Sequence, residues 1–249
     1  MIPGPVLPHT SVDNSPSTEQ NDPWAAFLLE IVGRWAEAGP DRKQDRSRRR
    51  EQEILRAALR VFARDGISRS RIGDIAAEAG MAVSTIYEYY PSKEELAYAV
   101  PLNLFGTFYA EFADGVVGKE TWAERLRFYL WLAVDFARRN PEWSRTLYLE
   151  IWPSVLVSEA KVRLAIDDYV RIMLHMINEG AKAGEWPADS NPYETASILN
   201  GSLNQTIITW LIYRRPNDVM KAAVSIIDRT MHLLQDRSET APKVPGRKV

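Results

Sequence analysis

Apolar residues recur at helical spacing along almost the whole chain, and the strict alternation of a strand is nowhere sustained. Trp24, Phe27, Leu28, Ile31 and Trp35 fall on one face of a first helix, opened by Asp22-Pro23 and ended by Gly39-Pro40. A linker over 40–45 leads to a helix from Arg46 to Asp65. It carries Ile54, Ala58, Val61 and Phe62 on one side and stops at Gly66. Two short helices follow, Arg71 to Ala79 and Ala82 to Tyr90, and Ser92 opens a longer one running toward Asp114. Further helical periods cover about 120–139, 158–183, 192–213 and 218–235. The fold class predicted is all-α, with no internal repeat.

The segment from 71 to 96 is the most specific. Ile72, Ile75, Ala76 and Ala79 form the inner face of the first short helix, and Gly80 supplies the left-handed turn that glycine adopts cheaply. At about 100° per residue, Ile86 and Tyr90 share the core side of the second, with Val83 at its edge. Ser84, Thr85 and Glu88 occupy the opposite arc, flanked by Tyr87 and Tyr89. Small hydroxyls in the middle and phenols at the margins suit a helix laid in the major groove of DNA. Ser92 and Glu95 make a capping box, which puts Lys93 in a helical first turn, where backbone N–H groups favour phosphate.

Charge supports this reading only once it is resolved along the chain. The net charge is −2, yet residues 42–71 hold eleven Lys/Arg against four acids, a local +7, so the remainder sums to −9. A basic segment on an acidic body is the footprint of a DNA-binding unit attached to something else. There are no cysteines, which excludes disulfides, thiolate metal sites and cysteine nucleophiles. No apolar run reaches the roughly 18 residues of a membrane span, and residues 1–10 lack the charged and apolar regions of a signal peptide. A cytoplasmic location without membrane association is expected.

The segment Asp74-Ile75-Ala76-Ala77-Glu78-Ala79-Gly80, then Thr85-Ile86-Tyr87-Glu88-Tyr89-Tyr90-Pro91-Ser92-Lys93-Glu94-Glu95-Leu96, resembles the N-terminal domain of the TetR family of bacterial transcriptional regulators. The resemblance covers about Arg46–Leu96, roughly fifty residues. It implies a three-helix helix-turn-helix domain (46–91), then a helical ligand-binding and dimerisation domain (92–236). Outside these lie a disordered tail (1–21), an extra amphipathic helix with linker (22–45) and a flexible C-terminal tail (237–249). By position, Thr85, Tyr87, Tyr89 and Lys93 would contact the DNA backbone, Val83 and Ser84 would lie nearest the bases, and Arg71 would meet phosphate. Three residues depart from the family pattern. Ala82 replaces a capping Ser or Thr, costing about 1 kcal/mol. Val83 either reads a thymine methyl or packs inward. Glu88 either accepts from a cytosine amine or stays solvated.

In the family, the helix opened by Ser92 links the DNA heads to the ligand body, and here it holds Pro101, which either kinks it or divides it in two. On 120–139, Trp122, Leu126, Tyr129, Ala133 and Phe136 form the inner face. Glu124, Arg127, Asp135 and Arg138 form a polar stripe around Trp131. On 158–183 the inner set is Val162, Ile166, Tyr169, Met173, Met176 and Ile177, with His175 on the stripe of Asp168, Arg171, Glu179 and Lys182, hence solvated. The candidate ligand-binding residues are Tyr129, Phe136, Tyr169, Met173, Asn200 and Asn204, serving a small, largely apolar effector. Asn200 and Asn204 either meet that ligand or hydrogen-bond across a dimer. The stripes Ala196, Leu199, Leu203, Ile207, Trp210 and Val219, Ala223, Ile226, Ile227, Thr230, Leu234 offer a homodimer interface through helices 192–213 and 218–235.

His9, His175 and His232 are scattered, and no metal pair, nucleophile elbow or phosphate-binding loop is present. Catalysis is not expected, nor a cofactor or metal. The expectation is a homodimeric regulator, a repressor on a palindromic operator in double-stranded DNA, released by its effector. The alternative is a ligand-independent DNA-binding or partner-recruiting module, with the aromatic face of helix 23–38 docked on its own subunit or on a partner.

Overall fold

The computed structural model describes residues 22–35, 42–154, 159–188 and 191–235. Among them lie ten α-helices and no strand. In chain order they are α1 (Pro23–Trp35), α2 (Arg42–Asp65), α3 (Ile72–Ala79), α4 (Val83–Tyr89), α5 (Lys93–Val116) and α6 (Trp122–Arg139). The rest are α7 (Pro141–Arg145), α8 (Ala160–Lys182), α9 (Pro192–Tyr213) and α10 (Val219–Gln235). A π-helical turn, Thr146–Ile151, continues α7. Residues 42–45, expected as linker, already belong to α2. The expected Gly39-Pro40 stop and both tails lie outside the described residues.

The axis of the molecule is α5. It buries Leu96, Ala97, Val100, Phe105, Phe108, Tyr109, Phe112 and Val116, a set that runs round most of its circumference. Such a helix needs neighbours on several sides, and α1, α2, α6 and α8 all pack on it. The helix continues through Pro101, so this residue does not divide it. The Pro101 carbonyl accepts a hydrogen bond from the buried Trp143 indole at 2.9 Å.

The extra helix docks on its own subunit. The Asp22 carboxylate caps it by accepting the Trp24 N–H at 2.9 Å. Trp24, Leu28 and Ile31 are buried, each worth roughly 1.5–3 kcal/mol in apolar burial. Trp24 meets Phe112 and Trp122 edge-on. The aromatic face that could have sought a partner is therefore filled from within.

This docking corrects the reading of α8. Asp168 does not lie on a solvated stripe; it is fully buried. Its carboxylate accepts from Arg34 Nη1 at 2.7 Å, from Trp35 Nε1 at 2.9 Å and from Arg171 Nη1 at 3.1 Å. His175 is half-buried rather than free in solvent, for it stacks on Phe27 (4.5 Å, 12°) and Trp24 (5.3 Å, 25°). Both residues sit under a helix that periodicity within α8 could not reveal. On α6, Asp135 is likewise buried, clamped by Arg138 and Arg139 at 2.7 Å each.

Replacing Arg34 by Met leaves the Asp168 charge with weaker compensation. It is expected to lower stability by about 2 kcal/mol, less than for a pair with no other partner because Trp35 and Arg171 remain; urea unfolding reads this directly. Burial holds the His175 imidazole below its ordinary 6.5, against the opposing pull of Glu179. The unfolded chain then binds the extra proton. This contribution is complete above pH 6.5 and is lost as the pH falls through the lower folded value. In urea unfolding repeated from pH 7.5 to 5, His175→Phe is expected to flatten the wild-type decline.

Candidate functional site

The helix-turn-helix is built as α3, a glycine turn and α4. Gly80 lies at φ 66°, and its N–H reaches the Ala77 carbonyl at 3.2 Å. The Asp74 carboxylate caps the start of α3 by accepting the Arg71 N–H at 3.1 Å, leaving the Arg71 side chain exposed. Inside α4, Ile86 is fully buried and Tyr90 follows it. The Tyr90 hydroxyl donates to Glu51 of α2 at 2.9 Å, and burial with this carboxylate pushes its phenol well up, so it stays a donor. The solvent face presents Ser84, Tyr87 and Glu88, with Val83 exposed beside them rather than packed inward. Thr85 and Tyr89 are half-buried at the margins, and the Ser47 hydroxyl of α2 donates to Tyr89 Oη at 3.2 Å. No side chain caps α4 at Ala82. Arg46, Arg49 and Arg50 are exposed along the same end of α2.

Lys93 has a more internal place than its position in the motif implies. It is half-buried, and Nζ donates to the carbonyls of Ile67, Ser68 and Ser70 at 2.9, 3.3 and 3.1 Å. It therefore ties the start of α5 to the α2–α3 corner. The same corner is held from the other side. Gly66 turns at φ 80° and the Glu150 carboxylate lies against it, accepting the Ile67 N–H at 3.2 Å. A Cβ at Gly66 would meet that carboxylate at 3.3 Å.

Glu150 belongs to the π-helical turn, whose other side lines a cavity of about 40 Å³. Leu147, Tyr148 and Trp152 form one wall, with Trp143 of α7 beside them. Phe105 and Phe108 come from α5, Ala133 and Phe136 from α6, and Ile166 and Tyr169 from α8. Asn200 and Asn204 of α9 close it. Tyr169 Oη donates to Asn200 Oδ1 at 3.2 Å. Burial pushes the Tyr148 and Tyr169 phenols up, so both remain neutral donors. Among the described residues no cluster of metal-ligating side chains occurs.

Residues 54–100 match the family described as "Bacterial regulatory proteins, tetR family". The match is confined to this N-terminal stretch. The fatty acid metabolism regulator protein of Bacillus subtilis is 23% identical over 176 residues, covering 71% of this chain and 91% of that one. The HTH-type transcriptional repressor KstR of Mycobacterium tuberculosis is 22% identical over 205 residues, 82% of this chain and 89% of the relative. Among solved structures, the regulator FadR from Bacillus subtilis in complex with stearoyl-CoA has a TM-score of 0.68 at 23% identity, covering 73% of this chain and 97% of that chain. At that identity the likeness shows the fold. The matched stretch is the helix-turn-helix described above, and the proteins it resembles are named as regulators.

The structure brings together Phe136, Tyr169, Asn200 and Asn204 at the cavity, but not Tyr129 or Met173. Tyr129 is fully buried beneath it, donating to the Tyr169 carbonyl at 2.8 Å, and Met173 lies in the core. The sequence reading missed the α7 and π-turn wall altogether. Trp143 and Trp152 were visible only as apolar residues in a segment with no clear period.

Lys93→Met is expected to lower the midpoint of thermal unfolding by several degrees, since three carbonyls lose a charged donor worth about 1.5–3 kcal/mol. Calorimetry on the isolated protein checks it, with no DNA present.

Proposed function

We propose that two copies associate through α9 and α10 and set their α4 helices into successive major-groove turns of a palindromic operator, acting as a repressor. Half-sites about 34–36 Å apart are the spacing such a dimer reads. The observation that carries this is the outward face of α4. Ser84, Tyr87 and Glu88 are exposed on a helix anchored through Ile86 and Tyr90, and the basic end of α2 lies alongside. In this reading Val83 and Ser84 lie nearest the base edges. Arg71, Thr85, Tyr87 and Tyr89 serve phosphates, and Lys93 contributes by holding the corner behind them. As a DNA-bound regulator it would work in the cytoplasm; among the described residues no helix is long and apolar enough to cross a membrane.

The support for association has moved from the residues first singled out. Leu199, Leu203, Ile207, Ala223 and Ile227 are buried within the subunit. The exposed large apolar residues of the two helices are Tyr193, Ile198, Ile212, Tyr213, Val224 and Leu233. A surface of that kind is normally covered by a partner, and a two-fold pairing makes a four-helix bundle.

A small, largely apolar molecule in the cavity would release DNA by moving the π-helical turn and, through Glu150, the α2–α3 corner. The relative solved with stearoyl-CoA supports an effector-bearing body, and KstR is named a repressor.

Selection of bound fragments from the source genome tests the proposal, comparing wild type with Thr85→Ala/Tyr87→Ala. Wild type is expected to enrich a palindrome and the variant to lose it. On any one duplex, the variant should weaken binding and flatten its salt dependence by about one phosphate contact for each side chain that meets phosphate. A folded dimer that enriches no sequence would defeat the operator reading.

A further inference from the structure

The cavity is notable for what its walls lack. Seven of the twelve lining side chains are aromatic and three are aliphatic; none is Lys, Arg, His, Asp or Glu. The two polar ones, Asn200 and Asn204, stand one helical turn apart on α9. Asn200 Oδ1 is engaged by the Tyr169 hydroxyl, which leaves its NH2 as the donor toward the cavity. The Asn204 carboxamide makes no hydrogen bond to another described residue, so it offers both a donor and an acceptor.

The nearby charges are committed elsewhere. Arg145, between the lining residues Trp143 and Leu147, donates to the carbonyls of Leu211 at 3.0 Å and Ala63 at 3.5 Å. Asp168, next to the lining residue Tyr169, is held on the α1 side by Arg34 and Trp35. A carboxylate or ammonium entering the cavity would shed water and meet no opposite charge, whereas a hydroxyl or carbonyl would find a matching amide.

On the reading that this cavity is the effector site, we infer that the effector is an uncharged amphiphile whose apolar body lies among the rings and whose single hydroxyl, ketone or ester head is hydrogen-bonded by Asn200 and Asn204. At about 40 Å³ the cavity is too small for such a molecule as it stands. The side that can give is the one with Trp152, which is 43% exposed at the end of the π-helical turn. Entry of the ligand therefore displaces the same turn that carries Glu150.

The test uses four ten-carbon probes at pH 7, decan-1-ol, 2-decanone, decanoate and decylamine, titrated into the full chain by calorimetry. Decan-1-ol and 2-decanone are expected to bind at least about tenfold more tightly than either ion, because each ion is buried uncompensated. Asn200→Leu/Asn204→Leu should cost the alcohol about fivefold, one hydrogen bond's worth, with thermal unfolding showing that the variant is folded. Ala133→Phe fills the cavity and should abolish binding of all four, which separates this site from the apolar surface of α9 and α10.

If decanoate or decylamine binds as tightly as the alcohol, and Ala133→Phe abolishes it, the neutral-ligand inference is overturned while the effector site stands. If no probe binds, or Ala133→Phe leaves binding unchanged, the site and the inference fall together.

Discussion

A helix that is apolar on most of its circumference cannot lie at a surface, and α5 is such a helix. Everything else in the subunit is arranged to cover it. The aromatic residues at positions 105, 108, 109 and 112 demand large apolar neighbours on three sides, and α1, α6 and α8 supply them. This explains why the chain carries a helix ahead of the helix-turn-helix. Without α1, Phe112 and Tyr109 would lose part of their cover and the Asp168 carboxylate would keep only Arg171 as its charged partner. The ion pair from Arg34 and the hydrogen bond from the Trp35 indole compensate that carboxylate where it is buried.

The same helix begins in the DNA-binding unit and ends in the body. Lys93 at its start holds the 67–70 carbonyls, and Pro101 in its middle offers its carbonyl to Trp143. The α2–α3 corner is thus gripped twice, by Lys93 from α5 and by Glu150 from the π-helical turn. A π-helical turn is a rare conformation often found at functional sites, and this one has the cavity on one side and the corner on the other. Packed interiors transmit displacement because they have little free volume. In the proposed mechanism, a ligand that reshapes the cavity wall would act on the corner through the Glu150 carboxylate and the Ile67 N–H.

The cavity and the DNA face follow opposite physical rules. On α4 the polar groups Ser84 and Glu88 face solvent with Val83 and Tyr87 beside them, while Ile86 anchors the helix inside. In the cavity proposed for the effector, rings form most of the wall and two carboxamides are its polar side chains. Charge belongs to the first site and is absent from the second, although both are made by neighbouring stretches of one chain.

The sequence alone determined every element whose apolar residues repeat at helical spacing. It determined the capped starts at Asp22 and Ser92, the glycine turn at Gly80 and the inward anchors Ile86 and Tyr90, because each depends on residues within one or two turns, whereas Thr85, expected on the outward arc, is half-buried. It also separated the basic head from the acidic body. Only the tertiary structure decided which polar residues of α8 and α6 are buried. Asp168, His175 and Asp135 read as solvated until α1 or a pair of arginines lies over them. It decided as well that Leu199, Leu203, Ile207, Ala223 and Ile227 are internal and that Ile198, Ile212 and Leu233 are exposed, since periodicity names an apolar face without naming what covers it. The wall of Trp143, Leu147, Tyr148 and Trp152 was beyond the sequence for a further reason. A five-residue helix running into a π-helical turn has neither the length nor the 3.6-residue repeat that makes a helix legible, and its place against α5 is set by contacts forty residues distant.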